Sequence, residues 1–251
     1  MTHPPYHIKE MKLEVCSACQ NDCAECAHGE LRLQTKQYQL SQEQLYNFIK
    51  FTEESNYFIE HLAVHGGGDP LLWKHFNEAL PLLGRSPSIG TIVVTTNGLG
   101  IKRIDEKAWE YIDSLNISFY DAQPNSLFDE QVIAKYGHKI KVEHMTTFYE
   151  RLKNKDETFS TPCDCMCTGP MLLGDDVFLY CGPPVFDAAE LQGKDIWELK
   201  DLRVKIGPDY LSKINPTSKG NMDICSQCWA NSNYLDENRL VKQSITGGGW
   251  Q

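Results

Sequence analysis

Ten cysteines in 251 residues are the chemistry-bearing feature of this chain, and they are bunched. Cys16, Cys19, Cys23 and Cys26 fall in one stretch, and Cys163, Cys165 and Cys167 in another. Cys181 and the pair Cys225 and Cys228 follow. In a reducing compartment, thiols grouped this way ligate metals or clusters rather than pair as disulfides. Cys19, Cys23 and Cys26 have the spacing C-x3-C-x2-C. On a tight loop, three thiolates hold three irons of a [4Fe–4S] cluster and leave the fourth open to a ligand. The same loop also suits a zinc ion with His28 as fourth ligand. Cys16 lies at the end of a strand pattern and reads as a buried structural thiol. Cys167 and Cys181 bracket a hairpin pattern turned at Gly174-Asp175-Asp176. With Cys225 and Cys228 they make four thiolates, a complete set for a closed cluster or for zinc. Counting does not settle which of Cys163, Cys165 and Cys167 is the first of the four. Cys167 is taken because it adjoins the hairpin strand, which leaves Cys163 and Cys165 as spare thiols.

The elements that must position these loops can be read from periodicity. Met11–Cys16 alternates apolar and polar residues and predicts a strand running into the first cysteine group. Ser41 to Gln44 is a capping-box pattern opening a helix with Leu45, Phe48 and Ile49 on one face. Ile59–Val64 predicts a second strand, leading directly into His65-Gly-Gly-Gly-Asp-Pro70. Leu71–Leu83 reads as a helix that Pro81 kinks or ends. Thr91–Thr95 is a β-branched strand closed by the turn Asn97-Gly98. Helices over Ile104–Asp113 and Asp129–Tyr136 alternate with strands over Leu115–Tyr120 and Lys139–His144. This alternation implies parallel strands joined by crossover helices, about five β/α units. Five units are too few to close an eight-unit barrel, so the expected fold is α/β with a partial, open β/α barrel. Beyond residue 150 the texture changes to short strands, loops, Gly and Pro, then short helical patterns at Asp195–Leu202 and Pro208–Ile214. Two domains are expected, residues 1–150 and 151–251, the second a small Cys-rich module of a β-hairpin plus short helices.

The bulk composition sets limits. Hydrophobic residues at 41% and charged residues at 23% describe a chain that folds around a core. A net charge of −10 argues against nucleic-acid or anionic-membrane partners, which need a basic face. No apolar run approaches the ~20 residues of a membrane span. Met1–Lys12 lacks the apolar core of a signal peptide, so a cytoplasmic location is expected.

The cysteine loop after strand one, followed by a Gly-Gly-acid-Pro turn after strand two, resembles the radical S-adenosylmethionine (radical SAM) superfamily. The resemblance is carried by Leu13-Glu14-Val15, Cys19-x3-Cys23-x2-Cys26 and Gly67-Gly68-Asp69-Pro70-Leu71. Thr96-Asn97-Gly98 and Asn116-Ile117-Ser118 extend it, in the family's order, over residues 10 to 150. It implies that Cys19, Cys23 and Cys26 bind a catalytic [4Fe–4S] cluster whose open iron is chelated by SAM. Gly67, Gly68, Asp69, Asn97 and Ser118 would line the SAM pocket. Two positions depart from the pattern. Glu25 stands where an aromatic residue usually helps hold adenine, and Asp69 stands where Glu is commoner, with a shorter reach.

The second cysteine group is similar to the Twitch module, a reduced SPASM module, of this superfamily. That similarity implies an auxiliary [4Fe–4S] cluster on Cys167, Cys181, Cys225 and Cys228. The resemblance further implies an enzyme that reductively cleaves SAM to a 5′-deoxyadenosyl radical, with an electron donor such as flavodoxin or ferredoxin as partner. The truncated barrel with a compact module is most like the 2-deoxy-scyllo-inosamine dehydrogenases. The leading expectation is two-electron oxidation of a small polar metabolite, such as a sugar or cyclitol. Peptide cross-linking, or epimerisation using Cys163 or Cys165, is the alternative, and a non-enzymatic zinc module is the reading of another class. His65, Tyr120, His144 and Arg151 are candidates for substrate contact or proton transfer.

Overall fold

The structure is a computed structural model that describes residues 6–21, 23, 26, 38–55, 57–120, 129–145, 147–149, 169–179, 185, 189, 192–213 and 240–242. Its centre is an open mixed sheet of eight strands in the spatial order Ile140–His144, Ser114–Phe119, Ile89–Thr96, Tyr57–His65, Tyr6–Glu14, Met171–Leu173, Asp176–Phe178, Arg203–Lys205. Strands β1 (Tyr6–Glu14), β2 (Tyr57–His65), β3 (Ile89–Thr96), β4 (Ser114–Phe119) and β5 (Ile140–His144) are parallel neighbours. Parallel pairing demands crossovers. Helices α1 (Gln42–Glu54), α2 (Phe76–Arg85), α3 (Glu106–Tyr111) and α4 (Glu130–Tyr136) lie in those connections.

Alternation along the strands divides the two faces. Met11 and Leu13 of β1, Leu62 and Val64 of β2, Ile92 and Val94 of β3, and Leu115 and Ile117 of β4 are buried in one core. Leu45 and Phe48 of α1, Leu80 and Leu83 of α2 and Trp109 of α3 complete it. The intervening residues turn to the other face, where the cavity lies. Helix starts are fixed locally. The Ser41 side chain accepts from Gln44 N while the Gln44 side chain accepts from Ser41 N, and Asp105 and Asp129 cap α3 and α4.

Several boundaries differ from the sequence expectation. Strand β1 begins at Tyr6 rather than Met11. The segment 71–83 is not one helix. Asp69 caps a separate 3-10 turn, Pro70–Leu72, then Trp73 is extended and its indole N–H donates to Leu40 O at 2.7 Å. The helix proper starts at Phe76 and runs through Pro81 to Arg85. A proline removes only one hydrogen bond there, and Pro81 is itself buried.

The hairpin β7 (Met171–Leu173) and β8 (Asp176–Phe178) forms with Gly174 at φ +65°, the left-handed turn position glycine tolerates. Asp176 belongs to the second strand rather than to the turn. Its buried carboxylate meets Arg203 Nη1 at 2.6 Å and Lys205 Nζ at 3.1 Å on β9 (Arg203–Lys205). The sheet is not all parallel: β7 pairs in parallel with β1 at Lys12↔Met171 and Leu13↔Leu172, while β8 and β9 are antiparallel. The late helical patterns are short, two 3-10 turns at Ile196–Glu198 and Lys200–Leu202 and helix α5 (Tyr210–Lys213). A separate two-stranded pair joins β6 (Thr147–Tyr149) to β10 (Leu240–Lys242). Among the described residues, no helix is long and apolar enough to cross a membrane.

Candidate active site

The C-terminal ends of β1, β2 and β3 carry three turns that hold one another. The cysteine loop leaves β1 at Val15, whose N–H donates to His65 O at 2.9 Å. Residues 38–40 return beside it: Leu40 N donates to Val15 O, and Ser17 N donates to Tyr38 O. The glycine turn after β2 then packs backbone to backbone on the loop. Gly68 N donates to Cys16 O at 2.9 Å, and Asp69 N to Ala18 O at 2.6 Å. A Cβ on Gly68 would stand 1.8 Å from Ala18 O, and one on Gly66 would stand 2.5 Å from Cys16 O. Only glycine fits between the two backbones.

Asp69 fastens this pair of turns to the third. Its buried carboxylate accepts from Leu71 N at 2.9 Å, from Thr96 Oγ1 at 2.7 Å and from Asn97 N at 2.7 Å. Burial pushes its carboxyl above the usual range, and the hydrogen bonds from Thr96, Asn97 and Leu71 oppose that shift. Asn97 in turn reaches the cysteine loop, donating from Nδ2 to Gln20 Oε1 at 3.1 Å and lying 3.7 Å from Cys19 Sγ. Cys16 is buried, and its thiol donates to Asp69 O at 3.1 Å. Burial pushes this thiol far above its usual range, in keeping with a structural role.

Beneath the three turns lies a cavity of about 510 Å³. Cys19, Cys23 and Cys26 line it together with Gly66, Gly67, Gly68, Asp69, Thr96 and Asn97. Its walls are the inward residues of four strands: Glu10 and Lys12 of β1, His61, Ala63 and His65 of β2, Val93 and Thr95 of β3, and Asn116 and Ser118 of β4. Tyr120 closes one side, its hydroxyl hydrogen-bonded to the Ser118 side chain. Burial raises the Tyr120 phenol well above the ordinary range, and the nearby Cys23, Cys26 and Cys19 thiols push the same way.

The cavity thus collects the candidate cluster ligands Cys19, Cys23 and Cys26 and the candidate SAM-site residues Gly67, Gly68, Asp69, Asn97 and Ser118. His65 and Tyr120 join them. His144 does not, since it sits on exposed β5 with its ring against Phe119, centroids 5.1 Å apart. His28, Arg151, Cys163, Cys165, Cys167, Cys181, Cys225 and Cys228 lie outside the described residues. The sequence motifs include Glu14 and Asn116 without giving either a role, and they leave out Glu10, Lys12 and His61. Their signal was polar residues at period two within otherwise apolar strands. Tyr38 was missed as well. Its hydroxyl donates to Glu14 O at 3.2 Å and accepts from Gly174 N at 2.8 Å, joining β1 to the hairpin.

Three soft thiol donors on one loop lining a polar cavity, facing a glycine turn with its carbonyls, fit a [4Fe–4S] cluster with one iron open to a chelating ligand. Among the described residues no group of three or more His, Cys, Asp or Glu side chains is arranged to hold a single metal ion.

A three-cysteine loop at the C-terminal ends of the parallel strands of an open mixed sheet defines a protein of the cluster-binding α/β kind. Residues 13–163 match the radical SAM superfamily, and the chain belongs to that family. Members of it carry a [4Fe–4S] cluster and use SAM. No curated protein sequence matches the chain. Among solved structures the chain is similar to BtrN in complex with AdoMet and 2-DOIA. Identity there is 14% and the TM-score 0.56, over 88% of this chain and 88% of BtrN. BtrN in an open conformation gives 13% identity and a TM-score of 0.54, over 88% and 86% of the two chains. Native anSMEcpe with bound AdoMet and Cp18Cys peptide is 18% identical, over 57% of this chain and 44% of that one, at a TM-score of 0.38.

Proposed function

We propose that this enzyme oxidises an alcohol of a small polar metabolite, such as a sugar or cyclitol, by two electrons. The observation that carries the reading is the cavity itself, whose walls present carboxylate, ammonium, imidazole, hydroxyl and amide groups from four strands. A polyhydroxylated molecule finds partners for its hydroxyls there, whereas an apolar substrate leaves those groups without any. The fold shared with BtrN, solved with AdoMet and 2-DOIA, supports the same choice of substrate class.

In this reading Cys19, Cys23 and Cys26 hold the catalytic cluster. Gly67, Gly68, Asn97 and Ser118 line the SAM site, and Asp69 fixes the turns around it. When bound, the cluster supplies the electron that splits SAM into methionine and a 5′-deoxyadenosyl radical, which takes a hydrogen atom from the substrate. The chain supplies the walls that orient the substrate and exclude water. Cys167, Cys181, Cys225 and Cys228 would hold an auxiliary [4Fe–4S] cluster, which would supply an acceptor for the second electron. Residues 1–150 then form the SAM-binding part and 151–251 the auxiliary part, reduced in the cytoplasm by flavodoxin or ferredoxin.

The test is anaerobic reconstitution followed by turnover. About eight irons per chain and a broad absorbance near ~400 nm are expected for two such clusters. With SAM, a reductant and 2-deoxy-scyllo-inosamine or related cyclitols and sugars, the product should be lighter by two hydrogens, with one 5′-deoxyadenosine formed per product. Solvent deuterium entering a peptide at otherwise unchanged mass would instead establish epimerisation. A colourless protein with stoichiometric zinc would sink the cluster assignment altogether.

A further inference from the structure

Strands β1 and β2 face the cavity with a ladder of charged residues in register: Glu10 opposite His61, Lys12 opposite Ala63, and Glu14 opposite His65. The last rung differs from the others. Glu14 is buried, its side chain 1% exposed, and its Oε1 lies 3.1 Å from His65 Nδ1. A carboxylate withdrawn from water this far is retained only where it is paired. His65 itself lines the cavity, at the residue where β2 enters the glycine turn. A buried carboxylate therefore stands 3.1 Å from the Nδ1 of an imidazole that lines the cavity, and a carboxylate beside Nδ1 favours the Nδ1–H tautomer, which leaves Nε2 as the proton acceptor.

We infer that His65 is the catalytic base of this enzyme, oriented by Glu14 as a positioning residue, and that its proton comes from the hydroxyl on the carbon being oxidised. The inference rests on the alcohol-oxidation reading above and gives it a proton path. The step balances. The C–H hydrogen atom passes to the deoxyadenosyl carbon, giving 5′-deoxyadenosine, and the O–H proton passes to His65. The remaining electron passes to a one-electron acceptor of the iron–sulfur class, leaving C=O. A base at this place matters because a carbon radical bearing O⁻ gives up its electron far more readily than one bearing O–H.

The substitutions His65→Gln and Glu14→Gln test this in the full-length, reconstituted enzyme, by two measurements. The first needs no substrate. Nitrogen-15 spectra of histidine-labelled protein, with His65 assigned by its loss in H65Q, should show the Nδ1–H tautomer in the wild type and a changed tautomer balance in E14Q. A wild-type His65 carrying its proton on Nε2 overturns the inference, whatever the enzyme oxidises.

The second uses 2-deoxy-scyllo-inosamine deuterated at the reacting carbon. H65Q should bind SAM within about twofold of wild type and still deliver deuterium into 5′-deoxyadenosine. The ratio of carbonyl product to 5′-deoxyadenosine should fall at least tenfold from near one, with E14Q intermediate. An unchanged ratio in H65Q overturns the assignment of His65 while leaving alcohol oxidation intact. If wild type leaves every alcohol untouched, the substrate reading fails, and the proton-acceptor assignment stands or falls on the tautomer.

Discussion

Asp69 is the residue on which the turns after β2 and β3 converge, and its role is decided by three donors rather than by reach. With both carboxylate oxygens engaged by Leu71, Thr96 and Asn97, the side chain acts as a strap between turns. Asp69→Ala leaves three buried donors without an acceptor, and should cost about 3 kcal/mol in urea unfolding. It should also lower iron loading. Cys16 gives the opposite contrast among cysteines. Because its thiol donates to Asp69 O, Cys16→Ala should keep full iron content while lowering the melting temperature by a few degrees. Loss of cluster in that variant would make Cys16 a ligand. The sequence made Cys16 legible as a structural thiol, because it ends a strand that buries its neighbours. The partners of Asp69 were not legible, because Thr96 and Asn97 lie a whole β/α unit further along the chain.

At the scale of elements, the site is a set of backbone contacts between turns, and these set which substitutions are tolerated. Gly68→Ala drives a methyl into Ala18 O, where backbone cannot yield as a flexible side chain would. The expected result is a displaced cysteine loop, measured as iron per chain well below wild type after reconstitution. Gly207→Ala, with nothing within 4 Å, is the matched control and should load normally. Tyr38→Phe removes the hydroxyl shared by Glu14 O and Gly174 N, and should cost about 1 kcal/mol without altering SAM binding. Alternation of strand and helix was readable because the strands bury alternate residues towards their ends, Met11 and Leu13, Leu62 and Val64, Ile92 and Val94, and Leu115 and Ile117. The broken helix after Asp69 was not, since its cause is a single indole, that of Trp73, captured by Leu40 O.

For the whole molecule, several buried acidic protons set how stability responds to pH. Burial holds the Cys16 thiol and the Tyr38 and Tyr210 phenols above their ordinary values. An unfolded chain releases those protons near pH ~8.5 and ~10. Above those values the unfolded state binds fewer protons than the folded one, so stability falls as pH rises. The effect should be absent below pH ~8 and plain by pH ~10.5 in urea midpoints. Tyr210→Phe should flatten the fall, although it also loses the 2.7 Å bond to Thr52 Oγ1. A midpoint constant up to pH ~10.5 would contradict the burial of these groups. The attachment of β7 to β1 is the part of the fold least visible in sequence. Strand pairing between residues 12 and 171 has no local periodicity to announce it.

The backbone-to-backbone seam between the glycine turn and the cysteine loop has a consequence for how such a protein can diversify. At Gly66 and Gly68 any added atom collides with main chain, so mutation finds almost no neighbouring sequence that preserves this part of the cavity. Glu10, His61 and Asn116 line the same cavity from strand positions rather than from this seam, where an exchanged side chain meets no such backbone collision. The molecule therefore separates a frozen seam from a variable wall. New substrates can be acquired by drift at the wall of the cavity, while the chemistry at the seam is inherited unchanged.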